Sequence, residues 1–232
     1  MMNRLEFDQV AVALPDVGQV LDGLSFVLAP GASVVLTGPA GCGKSVALAL
    51  TVGLLRASAG TLRVLGVDPA ALPATELDGL RAQVGYSPQR GALLSNLSLA
   101  DNVALPLRWH RGLAPAEALA AVDETYALMG AVPPPPVQTA AASEEHRQLA
   151  RLARAIALRP ALLVIDEPGA GLDAQGREDL WRLLWRLQED LGCAILAATS
   201  DPGPAAALTT RTIPLPPRRH TTLGILRPYA HA

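Results

Sequence analysis

The stretch GPAGCGKS (38–45) places Gly38, Gly41 and Gly43 ahead of Lys44 and Ser45. In the spacing G-x-x-x-x-G-K-S, the glycines let successive backbone N–H groups turn inward around phosphate oxygens. Lys44 then sets a point charge at the β/γ-phosphates and Ser45 a hydroxyl at Mg2+. Gly38, Pro39, Ala40, Gly41, Cys42, Gly43, Lys44 and Ser45 are therefore candidate cofactor-binding residues, Ser45 being a metal ligand as well. A second stretch, LLVIDEP (162–168), ends a buried-strand run on two adjacent carboxylates, Asp166 and Glu167. Such a pair suits metal-and-water chemistry: Asp166 holding Mg2+ through water, and Glu167 polarising the attacking water as the catalytic residue. A strand end capped by solvated acids is the competing reading, which the phosphate loop disfavours. A third candidate, Asp173, precedes AQGRE and suits the N-cap of a helix, a role compatible with a functional one.

These residues need elements to position them. SVVLTG (33–38) is a short β-rich run entering the loop, and KSVALALTVGLL (44–55) has the apolar density of a buried helix leaving it. Residues 4–14 and 24–29 read as an antiparallel pair around LPDVGQV, and GTLRVLG (60–66) as a strand pair with a turn. Residues 91–130 are helical and Ala/Leu-rich. Pro133 to Pro136 form a stiff spacer before a helix over 144–158. A strand at 162–166, a helix at 174–191 and a strand at 193–199 follow. Trp181 and Trp185, four residues apart on the helix, are expected to pack in the core. Weak strands fall near 211–215 and 221–226. Alternating strands and helices predict a mostly parallel sheet covered on both faces.

Half of the 232 residues are apolar but only 3% aromatic, so Ala, Leu and Val must make the core. No apolar stretch reaches the ~20 residues that span a bilayer. No basic, apolar and small-residue leader opens the sequence, so no secretion is expected. Cys42 and Cys193 form no framework, and a reduced cytosol is their expected setting. A net charge of −2 argues against a nucleic-acid partner.

The loop, Gln89 in VGYSPQ, the run ARAIALRPALLVIDEP (153–168) and Gly171-Leu172-Asp173 together resemble the ATP-binding cassette (ABC) family, to about residue 201. The stretch QRGALLSNLSLADNVALPLR (89–108) further resembles the ATPases of lipid-asymmetry and Mce-type lipid transporters. The resemblance implies an α/β P-loop fold of RecA type, with a mostly parallel sheet, an antiparallel β edge and an inserted α-helical subdomain. Residues 1–232 would form one such domain, with core 1–90 and 159–232 and helical subdomain 91–158. It implies ATP and Mg2+ as cofactors, and a role for Gln89 at the nucleotide and the metal. It also implies a transmembrane permease subunit, a second ABC ATPase subunit as partner, and a peripheral place on the cytosolic face of the membrane.

Family members pair head to tail, each ATP lying between one chain's loop and the other's signature, Leu-Ser-Gly-Gly-Gln. Registering the run onto that signature sets it on Ala142, Ser143, Glu144, Glu145 and His146. Its glycines are replaced by carboxylates, which would occupy the positive end of a helix and repel a phosphate. The plainer reading is a well-capped helix with Ser143 as N-cap. The family's switch histidine falls on Ser200, which can offer only a neutral hydrogen bond to a phosphate, and its base-stacking aromatic falls near Leu14. These departures predict impaired hydrolysis and favour a different chain as the partner cassette. The alternative is a nucleotide-binding regulatory or structural subunit that turns over no ATP.

Overall fold

A computed structural model describes residues 2–15, 17–89, 91, 93–206 and 211–217. β1 (Leu5–Leu14) and β2 (Gly18–Leu28) pair antiparallel, and β4 (Ala59–Val64) joins the other edge of β1. β2 begins well before residue 24, because its alternating burial runs back to Val20 and Leu21. GTLRVLG is not a strand pair but one strand and a tight turn, closed by a single bridge from Val64 to Val67.

The second sheet holds β3 (Ser33–Thr37), β5 (Val84–Ser87), β6 (Leu162–Asp166), β7 (Ala194–Thr199) and β8 (Arg211–Pro214), in the order β5-β6-β7-β3-β8. Every pairing in it is parallel. The period of two explains why its strands read as continuous apolar runs. Val35, Leu163, Ile165, Ile195 and Ala197 face one core, while Val34, Leu36, Leu162, Val164 and Leu196 face the other.

The first core is covered by α3 (Leu99–Arg111), α4 (Pro115–Leu128), α5 (Glu144–Ile156) and α6 (Ala174–Leu191); the second by α1 (Lys44–Thr51), α2 (Ala74–Arg81) and the antiparallel sheet. Residues 91–130 are thus not one helical run. Ser98 caps α3 by accepting from Asp101 N at 3.0 Å, and Gly112 ends it in the left-handed region at φ 66°. Pro115 then starts α4, where its missing N–H costs nothing. α1 stops at Thr51, four residues before the predicted end, because Gly53 turns the chain at φ 65°. Only Trp181 of the tryptophan pair is core, since Trp185 is 45% exposed. A short helix, α7 (Gly203–Ala206), precedes β8, and the predicted strand at 221–226 lies outside the described residues. Among the described residues no helix is long and apolar enough to cross a membrane.

Candidate functional site

Register brings the chemistry together. Thr37 at the end of β3 pairs with Thr199 at the end of β7, and Asp166 at the end of β6 pairs with Ala198. The loop 38–45, the carboxylates and Ser200 therefore share the carboxyl edge of one sheet, where open α/β folds place ligands.

The loop's shape is dictated by its glycines. Gly38 and Gly43 adopt φ 146° and 104°, and a Cβ on Gly43 would come within 2.7 Å of Leu21 Cδ2 and 2.8 Å of Val20 O. Only glycine can hold this tight approach to β2. Gly43 leads into α1 with no side-chain cap and no acid in the first turn, so the positive end of that helix is left to an external anion. Pro39, Ala40, Gly41 and Ser45 are exposed around it. Cys42 is 3% exposed and its side chain packs in the core, so it can offer a ligand only backbone.

Lys44 is 5% exposed and donates from Nζ to Gly38 O at 2.7 Å and Pro39 O at 3.2 Å. The same ammonium stands 3.4 Å from Glu167 Oε1. Glu167 adopts a left-handed φ of 48°, held by its N–H donating to Ala198 O at 2.8 Å. For a non-glycine residue this costs on the order of 1 kcal/mol, and it turns the carboxylate out of the strand toward the loop. Ser200 completes its surroundings: Ser200 Oγ donates to Oε1 at 2.8 Å and Ser200 N to Oε2 at 3.0 Å. The hydrogen bond expected from Ser200 to a phosphate thus goes to Glu167.

Asp166 fits a divalent cation. It is 6% exposed, and its Oδ1 is buried with no hydrogen-bond partner, an acceptor that a metal-bound water would satisfy. Burial pushes its carboxyl above the ordinary carboxylate range and the nearby Glu167 charge adds to this, while the Ser45 hydroxyl and Lys44 pull it back. Gln89 is exposed just past β5, and among the described residues no hydrogen bond joins it to Ser45 or Asp166. A cleft of about 700 Å3 adjoins the loop at Cys42, lined by Val17, Val20, Leu21 and Pro214 among others. Leu14 does not line it.

Asp173 caps α6, accepting from Gly176 N at 2.7 Å. Ser143 caps α5, accepting from His146 N at 3.2 Å. Of the two carboxylates expected to repel a phosphate at the start of α5, Glu144 has its charge answered within the helix. It pairs with Arg147 at 2.8 Å and Arg151 at 2.6 Å, and these guanidiniums, Arg151 foremost, hold its carboxyl below the usual range. The arginines lie three and seven residues on, one helical face, a signal readable from spacing alone. Glu145 is exposed.

A loop-wrapped anion cradle, a buried metal-suited aspartate and a glutamate at one sheet edge define a P-loop nucleotide site. The family model for ABC transporters matches residues 21–170. A sulfate/thiosulfate import ATP-binding protein of Bordetella pertussis is 37% identical over 84% of this chain and 54% of its own. A taurine import ATP-binding protein of Pseudomonas aeruginosa is 34% identical over 94% of this chain and 81% of its own. The chain spans about half the length of several curated relatives it matches. A dimeric ATP-binding cassette solved in a post-hydrolysis state with ADP and Pi superposes at a TM-score of 0.82, covering 91% of this chain and 94% of that one, at 24% identity. That likeness speaks for the fold. The chain belongs to the ABC transporter family, as an α/β P-loop cassette of the class that takes ATP with Mg2+.

Proposed function

We propose that this chain binds Mg-ATP at Gly38–Ser45 and hydrolyses it as the cassette subunit of a membrane transporter. The convergence of Lys44, Asp166 and Glu167 at one sheet edge carries this reading. The loop N–H groups and Lys44 bind the phosphates, and Lys44 exchanges its contact with Glu167 for them. Ser45 and Asp166 would hold Mg2+, which would supply charge neutralisation at the phosphate oxygens. Glu167 orients the attacking water. Gln89, exposed just past β5, is the further residue proposed to face the nucleotide and the metal.

Residues 89–112 are proposed to meet the permease, with the core and helical subdomains divided at 91–158 as the sequence suggests. Trp109 is 76% exposed and tethered by its Nε1 donating to Asp78 Oδ2 at 3.0 Å. The names of the relatives, importers of sulfate/thiosulfate and taurine, favour a small solute as cargo. A lipid cargo rests on residues 89–108 alone and finds no support in these relatives. As a permease-bound subunit the chain would sit on the cytosolic face of the membrane.

Reduced turnover at one of two composite sites is the finer reading. Ser143 Oγ accepts the cap of α5, and Glu144 and Glu145 stand where the signature's glycines would be, adding bulk and, at the exposed Glu145, negative charge, which leaves a partner's phosphate a poor site. This favours a partner cassette of a different sequence. A subunit that turns over no ATP is the second reading, favoured by the same glutamates. Phosphate release from the assembled transporter with Glu167→Gln in this chain alone separates the two. A fall in turnover supports hydrolysis here; unchanged turnover supports the regulatory role.

A further inference from the structure

Ser200 stands on a turn that is fixed independently of any ligand. Thr199, 3% exposed at the end of β7, donates from Oγ1 to Asp201 O at 3.2 Å and accepts from Asp201 N at 3.1 Å. Asp201 is in turn held on its far side, by Gly203 N at 3.3 Å and by Arg177 Nε at 3.6 Å. The turn thereby presents the N–H and O–H of Ser200 in parallel, one to each oxygen of Glu167, at 3.0 and 2.8 Å. A carboxylate with both oxygens engaged cannot rotate about its terminal bond without breaking a hydrogen bond. Among the described residues Lys44 is the one cation paired with it, and Lys44 is the group a phosphate would draw away. The Ser200 fork is what remains to aim the carboxylate once that happens.

We propose that Ser200 is a positioning residue for Glu167, holding the carboxylate in line for its water rather than touching phosphate itself. This rests on the hydrolytic reading above. It also assigns a use to a position where the sequence shows only the loss of a histidine. Positioning of this kind acts on turnover and not on nucleotide affinity, because the fork touches only Glu167.

The test uses the assembled transporter with each substitution in this chain alone, and measures phosphate release at saturating Mg-ATP and binding of a fluorescent ATP analogue on the same samples. Ser200→Ala keeps the backbone N–H and removes the hydroxyl, so kcat should fall about tenfold, less than in Glu167→Gln, with affinity within about twofold of wild type. Ser200→Thr, which restores the hydroxyl, should recover most of the loss. An alanine variant with wild-type kcat, or a loss that threonine does not recover, overturns the positioning role. So does a loss that appears in affinity alone. A wild-type assembly that binds the analogue yet releases phosphate no faster than one carrying Glu167→Gln in this chain overturns the hydrolytic reading instead, and the proposal falls with it.

Discussion

The Lys44 ammonium stands 3.4 Å from Glu167 Oε1 while two of its hydrogens lie on the carbonyls of Gly38 and Pro39. The residue proposed to bind phosphate and the residue proposed to orient water therefore satisfy each other. A bound triphosphate must displace the carboxylate from the lysine, which couples filling of the loop to release of Glu167. Lys44→Ala should weaken ATP binding at least tenfold, about 1.4 kcal/mol, in titration calorimetry. Wild-type affinity in that variant would remove the loop as the phosphate site.

Glu167→Gln should bind ATP at least as tightly as wild type, because the amide no longer holds Lys44 by charge. Its phosphate release should drop by two orders of magnitude or so, the usual scale for a positioned base. A variant that loses affinity and turnover in equal measure would mean that Glu167 serves mainly to build the loop.

Gly43→Ala should both destabilise the chain and weaken nucleotide binding. Its Cβ meets Leu21 Cδ2 and Val20 O inside normal contact, at a φ of 104°. A cost of about 1–3 kcal/mol in denaturant unfolding is expected. An unchanged midpoint would show that β2 yields without penalty.

Glu144 gives a pH dependence with a definite sign. Its carboxyl is held below its ordinary value of 4.5 by Arg151 and Arg147, so the folded state favours the charged form. The stabilisation is present above pH 4.5 and is lost as pH falls through the lower folded-state value. Wild type should therefore melt above Glu144→Gln at pH 7, and the gap should close on acidification below 4.5. The gap should be small, since the Glu144 side chain is 40% exposed. A gap that widens on acidification would contradict the pairing.

The cysteines should resist modification. A thiol ahead of a helix N-terminus invites the expectation that Cys42 reacts with maleimide and is protected by ATP. Its side chain instead packs inside the core, and Cys193 is fully buried with its thiol pushed up to about 11 by burial. Native chain should label slowly at both positions with or without ATP, and quickly in guanidinium. Fast native labelling of Cys42 would show that the loop opens.

The sequence alone determined the parts whose chemistry is local. The loop at 38–45 is legible because its glycines are required by backbone conformation, and the strand ending in Asp166-Glu167 because a doubly covered strand is apolar throughout. The N-caps Ser143 and Asp173 follow from side chains bonding N–H groups three residues on. Residues 74–81 and 84–87 were harder to read, α2 for its weak periodicity and β5 for its four-residue length. What only tertiary structure decided is how side chains far apart in sequence spend their hydrogen bonds. Ser200 and Glu167 are 33 residues apart, and nothing in either neighbourhood says that the hydroxyl is given to the carboxylate. The parallel register of β6, β7 and β3 brings their ends level, and the left-handed turn at Glu167 does the rest. Cys42 shows the same division: its place in the loop is written in the sequence, but its burial depends on how β2 and β8 close over the loop, and packing of that kind is a property of all the surrounding side chains at once.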